Sequence, residues 1–164
     1  MTDTHNHGER PRFEERMARL CGESTYRMPV AGRSTQDKPI PAAHMISAAL
    51  AFARLGPQDI GPDVAYDLVT ERTGHAARVC RILAEAMGHD RARAVRRNRG
   101  WLACACWASY TWAVHGGPFP MALRPSEVTQ DDWLVLVEAG RRILWAEAEQ
   151  AMDRAERAMA RRAA

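Results

Sequence analysis

Lysine is almost missing from this chain: of its 23 basic residues only Lys38 is one, and the rest are arginines. With abundant alanine, that choice is what a GC-rich bacterial, plasmid or phage genome encodes, and it carries no weight on function. Long apolar runs are missing too. The most apolar stretch, residues 101–114, is too short to cross a bilayer and stops at His115-Gly116-Gly117-Pro118. The N-terminus has no apolar core of the kind a signal peptide requires, so a cytoplasmic location is expected. Four cysteines, Cys21, Cys80, Cys104 and Cys106, are too few and too scattered for a disulfide framework. Cys104 and Cys106 stand two apart, which on a helix turns them to different faces, and no CxxC accompanies them. Buried free thiols are expected, with no metal site and no cofactor.

Catalytic patterns are also absent. The order of Ser, His and Asp matches no triad, no nucleophile elbow occurs, and no pair of helical carboxylates is accompanied by histidine. Gly116-Gly117-Pro118 lacks the spacing and the following lysine of a phosphate loop. A non-enzymatic protein is expected.

What the sequence does contain is helical. Residues 1–41 are polar, hold Pro11, Pro29, Pro39 and Pro41, and read as a mobile leader. Inside it Phe13, Met17 and Leu20 fall at i, i+4 and i+7, a short helical pattern able to dock on the body. A helix over residues 42–55 ends before Gly56-Pro57. A second opens at Gly61-Pro62, where proline costs no hydrogen bond, and buries Val64, Ala65, Leu68 and Val69. A third runs from His75 to Met87, where Gly88 stops it, with Ala76, Val79, Cys80, Leu83 and Met87 inward. Residues 101–115 are apolar nearly all round and predict a helix buried on most sides, its tryptophans packed in the core.

After a Gly/Pro-rich connector, residues 116–128, Thr129 and Asp132 form a capping box in its acidic variant, and Val128 with Trp133 a hydrophobic staple. The helix they start is expected over residues 129–164, with Gly140 its one candidate break. No segment has strand periodicity. The fold class is all-α: a small helical domain over residues 42–115 and a long C-terminal helix packed on it.

The pair of helices around Thr73-Gly74-His75, within residues 62–87, resembles a helix-turn-helix. In that family two helices meet at a sharp turn that often contains glycine, and the second enters the major groove. The resemblance implies that Gly74 takes the left-handed turn and that Leu68, Val69, Val79, Cys80 and Leu83 close a shared core. His75, Arg78 and Arg81 would then face the groove, where arginine reads guanine or clamps phosphate.

Directly after this unit come Arg91, Arg93, Arg96, Arg97 and Arg99, five arginines in nine residues. Guanidinium groups at this density repel one another and are either solvated or facing an anion. The expected function is a small DNA-binding regulator of bacterial, phage or plasmid origin. The arginine run would hold phosphates and residues 130–160 would form a homodimer fitting a two-fold operator. The alternative is a protein-binding accessory factor, a phage- or plasmid-encoded adaptor or inhibitor. It would turn the same arginines on an acidic partner.

Overall fold

A computed structural model describes residues 13–22, 42–90 and 99–163. Among them are six α-helices and no strand: α1 (Phe13–Leu20), α2 (Ala43–Ala51), α3 (Gly61–Thr70), α4 (Ala76–Asp90), α5 (Arg99–His115) and α6 (Gln130–Ala163). No helix among the described residues is long and apolar enough to cross a membrane. The all-α class is as the hydrophobic periods require.

The long helix α6 is the spine. Its start is the expected cap: the Asp132 amide donates to Thr129 Oγ1 at 3.2 Å, and the Thr129 hydroxyl donates back to the Asp132 carboxylate at 2.8 Å. Val128 and Trp133 are buried beside it. The helix runs through Gly140 unbroken, because at that residue α5 comes close. A Cβ on Gly140 would press on Ser109 Oγ and lie 2.8 Å from Ser109 Cβ. Ser109 cannot swing aside, since its hydroxyl bridges the carbonyls of Ala105 (2.7 Å) and Val137 (2.9 Å).

The far half of α6 is helical to Ala163 and packs its inner stripe within the chain. Ala148, Ala151, Met152 and Ala155 are fully buried within the chain. There α3 lies against it so closely that a Cβ on Gly61 would sit 2.5 Å from the Glu147 carbonyl. Of residues 130–160, expected to form a homodimer, this inner stripe packs on the chain's own core.

Helix α1 docks on α6 as its apolar period predicts. Phe13, Met17 and Leu20 are buried, and the Phe13 ring packs 5.1 Å from that of Trp145. Arg16 grips Glu156 through two nitrogens at 2.8 and 2.9 Å and Asp153 at 2.5 Å. Hydrogen bonding to Glu156 raises the Arg16 pKa above its ordinary value, against the desolvation that lowers it. The rest of the expected leader, residues 1–12 and 23–41, lies outside the described residues.

Three local expectations change. Helix α4 continues past Gly88 to Asp90, because one glycine costs a helix only about 1 kcal/mol. The left-handed residue of the turn before it is Glu71, with φ of 52°, and not Gly74. Helix α5 is buried or half-buried on most sides, but Trp107 is not a core tryptophan: with Ala103 and Cys104 it lies on the one exposed strip. The connector, residues 116–128, is anchored at two points. Phe119 stacks edge-on against Trp112 with centroids 5.1 Å apart, and Trp133 Nε1 donates to the Pro120 carbonyl at 3.2 Å.

The close crossing at Gly140 generates a test. An exposed helical glycine replaced by alanine gains about 1 kcal/mol of helix propensity. At this position overpacking of the α5–α6 contact outweighs that gain, and Gly140→Ala lowers stability by about 1–2 kcal/mol in urea unfolding. A more stable variant would place α5 farther from α6 than described.

Candidate functional site

The chemically dense part of the molecule is the polar side of α3. Aspartates recur at the pre-helical Asp59 and at Asp63 and Asp67, one helical turn apart each time, so they share one face. On an isolated helix that face would be solvated. Here α3 is the central helix, and Asp63 and Asp67 are buried with it, Asp67 completely. A buried carboxylate survives only with partners, and each of these has them.

Asp59 acts as a cap: its Oδ1 accepts the Gly61 amide and its Oδ2 the Leu55 amide, both at 3.0 Å. It also pairs with Arg154 of α6 at 2.8 Å, while Arg154 Nε donates to the Ala53 carbonyl at 2.8 Å. Asp63 is paired with Arg54 at 2.5 Å and, through its other oxygen, with the guanidinium of Arg78 on α4. Asp67 accepts from the Tyr110 hydroxyl of α5, from the His75 backbone amide at 3.2 Å and from the His75 ring at 3.0 Å. That last bond makes Nδ1 the protonated nitrogen of the neutral imidazole. It leaves Nε2 3.9 Å from Asp63 Oδ1, and the His75 ring meets that of Tyr66 edge-on at 5.4 Å. Three carboxylates thus face three guanidinium groups and one imidazole, a network close to neutral that joins α3 to α4, α5, α6 and the preceding loop.

Of the residues expected to face a groove, two are therefore engaged within the chain. His75 lies in the turn and is held by Asp67. Arg78, besides Asp63, donates to the carbonyls of Pro57 at 2.5 Å and Asp59 at 3.1 Å. Arg81 is exposed on α4. Val79 and Leu83 are buried as expected, but α4 lies chiefly against α5 and α3 chiefly against α6. Val79 and Leu83 belong to one core drawn from all six helices and not closed between two. Arg91, Arg93, Arg96 and Arg97 lie outside the described residues, and Arg99 is the first residue of α5.

The aspartates were missed in the sequence. Their signal was the repeat at four-residue spacing together with Arg54 and Arg78, but spaced acids on a helix ordinarily mark a solvated face. Of the thiols expected to be buried, only Cys106 is; Cys21 and Cys80 are half-buried and Cys104 is exposed. Among the described residues no group of three or more His, Cys, Asp or Glu is arranged to hold a metal ion.

The network sits beside an alkali-sensitive cluster. Burial pushes the Cys80 thiol up to about 11, and burial together with Cys80 pushes Cys106 up to about 12, from an ordinary 9.0. Tyr110 is raised well above 10.0 by burial first, then by its hydrogen bond to Asp67 and by the charges of Asp67 and Cys80. In each case the folded chain holds a proton that the unfolded chain releases, so unfolding becomes easier as pH rises. The stabilisation is complete below about pH 9 and is lost progressively toward pH 12. Thermal melting under reducing conditions should show the midpoint falling steadily from pH 9 to 11, by about 1 kcal/mol of stability per pH unit for a fully buried group. A midpoint that does not move over that range would mean these groups are accessible to water.

In comparisons with protein-family models, with curated proteins and with solved structures, the chain matches none.

Proposed function

We propose that the protein is a small, non-enzymatic DNA-binding regulatory protein of bacterial, phage or plasmid origin that holds duplex mainly through phosphate. The observation that carries this reading is the arginine density of residues 91–99, placed in the chain between α4 and α5. Asp90 is the one acidic residue between Met87 and Glu127, so nothing nearby in sequence neutralises the run. Arg81 is exposed on the helix that precedes the run.

The part of the helix-turn-helix reading that gives sequence preference carries less weight. A guanidinium already shared between Asp63 and two carbonyls would have to give up those bonds before it could read a base. Binding is expected to depend strongly on salt and weakly on sequence. The same engagement of His75 and Arg78 favours, as a second reading, an accessory factor that applies the arginine run to an acidic protein.

Fluorescence anisotropy with mixed-sequence duplex, titrated from low to physiological salt, tests the proposal. Arg96→Ala with Arg97→Ala should weaken all duplexes alike and reduce the slope of log K against log salt by about two. Arg81→Ala should weaken binding less, and Arg78→Ala should change stability and leave the affinity of the folded fraction unaltered. Absence of binding at low salt would overturn the DNA reading and turn the search to an acidic protein.

A further inference from the structure

We propose that the loop between α2 and α3, residues 52–60, is an insertion tip for an anionic lipid surface. Leu55 and Phe52 would enter the headgroup layer, and Arg54, Arg161 and Arg162 would meet its phosphates. Leu55 is 77% exposed, the most of any large apolar side chain among the described residues, and Phe52 is 44% exposed. One exposed leucine needs no explanation on a protein surface. This one stands on a backbone held by α4, by α6 and by its own Asp59. The Ala53 carbonyl accepts from Arg154 of α6 at 2.8 Å and the Pro57 carbonyl from Arg78 of α4 at 2.5 Å. The Asp59 carbonyl accepts from Arg78 at 3.1 Å and from Arg54 at 3.3 Å. The Asp59 carboxylate closes the loop on itself by accepting the Leu55 amide at 3.0 Å. A loop held in this way loses little entropy when it docks, and its apolar side chains are fixed outward before any partner arrives.

Charge selects the partner. Arg162, on the last turn of α6, lies over the Phe52 ring at 3.9 Å, and Arg161 beside it is exposed. Within the loop the Arg54 side chain is 39% exposed. The carboxylates around these arginines are already engaged. Asp59 pairs with Arg154, and Asp153 and Glu156 pair with Arg16. Asp63 stands between Arg54 and Arg78, which leaves one positive charge over. The tip is therefore apolar at its centre and basic at its edge, and its complement is anionic outside and apolar within. An anionic bilayer has that layering. A protein partner is a poorer match, since a stable interface buries about 800 Å² on each side around an apolar core. Two side chains do not supply such a core. A bilayer takes a two-residue tip, because acyl chains surround it on every side while long arginine stems keep their heads at the phosphates.

Flotation of the full chain with vesicles of phosphatidylcholine and phosphatidylglycerol in equal parts reads the binding, with pure phosphatidylcholine as the comparison. The chain should float with the mixed vesicles and far less with the neutral ones, and salt should weaken the association. Leu55→Gln should lower partitioning by about tenfold or more with helix content unchanged, because the side chain is on the surface. Arg161→Gln with Arg162→Gln should lower it by roughly fivefold per arginine at low salt. No binding to the mixed vesicles at low salt would overturn the proposal and leave the tip to a protein partner. So would binding indifferent to Leu55→Gln, which would be attachment by charge elsewhere in the chain, as from the arginines of residues 91–99.

Discussion

Two carboxylates on the innermost helix, Asp63 and Asp67, constrain everything around them. Neither can lie inside the protein unless guanidinium, imidazole and phenol groups come to it. Those groups arrive from the α2–α3 loop (Arg54), the turn before α4 (His75), α4 itself (Arg78) and α5 (Tyr110). Asp59 extends the set to α6 through Arg154. Burying charge this way adds little net stability over an apolar core, but removing one partner is costly, often about 3–5 kcal/mol. The network therefore selects a single arrangement of the helices more than it strengthens that arrangement. The apolar contacts hold the helices together, with Trp133, Leu144 and Met152 of the spine fully buried.

That selection has a consequence for the surface around the turn. Binding the first turn of α4 to α3 holds His75 and Arg78 within the chain, while Arg72 and Arg81 stay exposed on either side of them.

Features that depend on local rules could be read in the sequence. The cap at Thr129 and Asp132, the proline-led start of α3, and the Phe13, Met17, Leu20 period of α1 each follow from a few neighbouring residues. Features that depend on distant residues could not. Asp67 and Tyr110 are 43 positions apart, and no pattern links them. Spaced acids on a helix are ordinarily solvated, so their burial is visible only once α3 is known to be central. Gly74 drew attention as the turn residue because glycine is the usual left-handed one, yet Glu71 takes that conformation. Gly140 was a candidate break on composition alone. What it provides is room for Ser109, which no local rule reveals. The uniform apolarity of α5 was legible, but which of its sides stays exposed was not.

The most direct test is a double-mutant cycle between Asp67 and Tyr110, read by urea unfolding of Asp67→Asn, Tyr110→Phe and the pair. If the carboxylate organises the helices, each single variant is destabilised and the coupling is about 1–3 kcal/mol, because removing either group leaves the other buried and short of a partner. Additive effects, with a coupling near zero, would show that Asp67 is hydrated and would contradict the account.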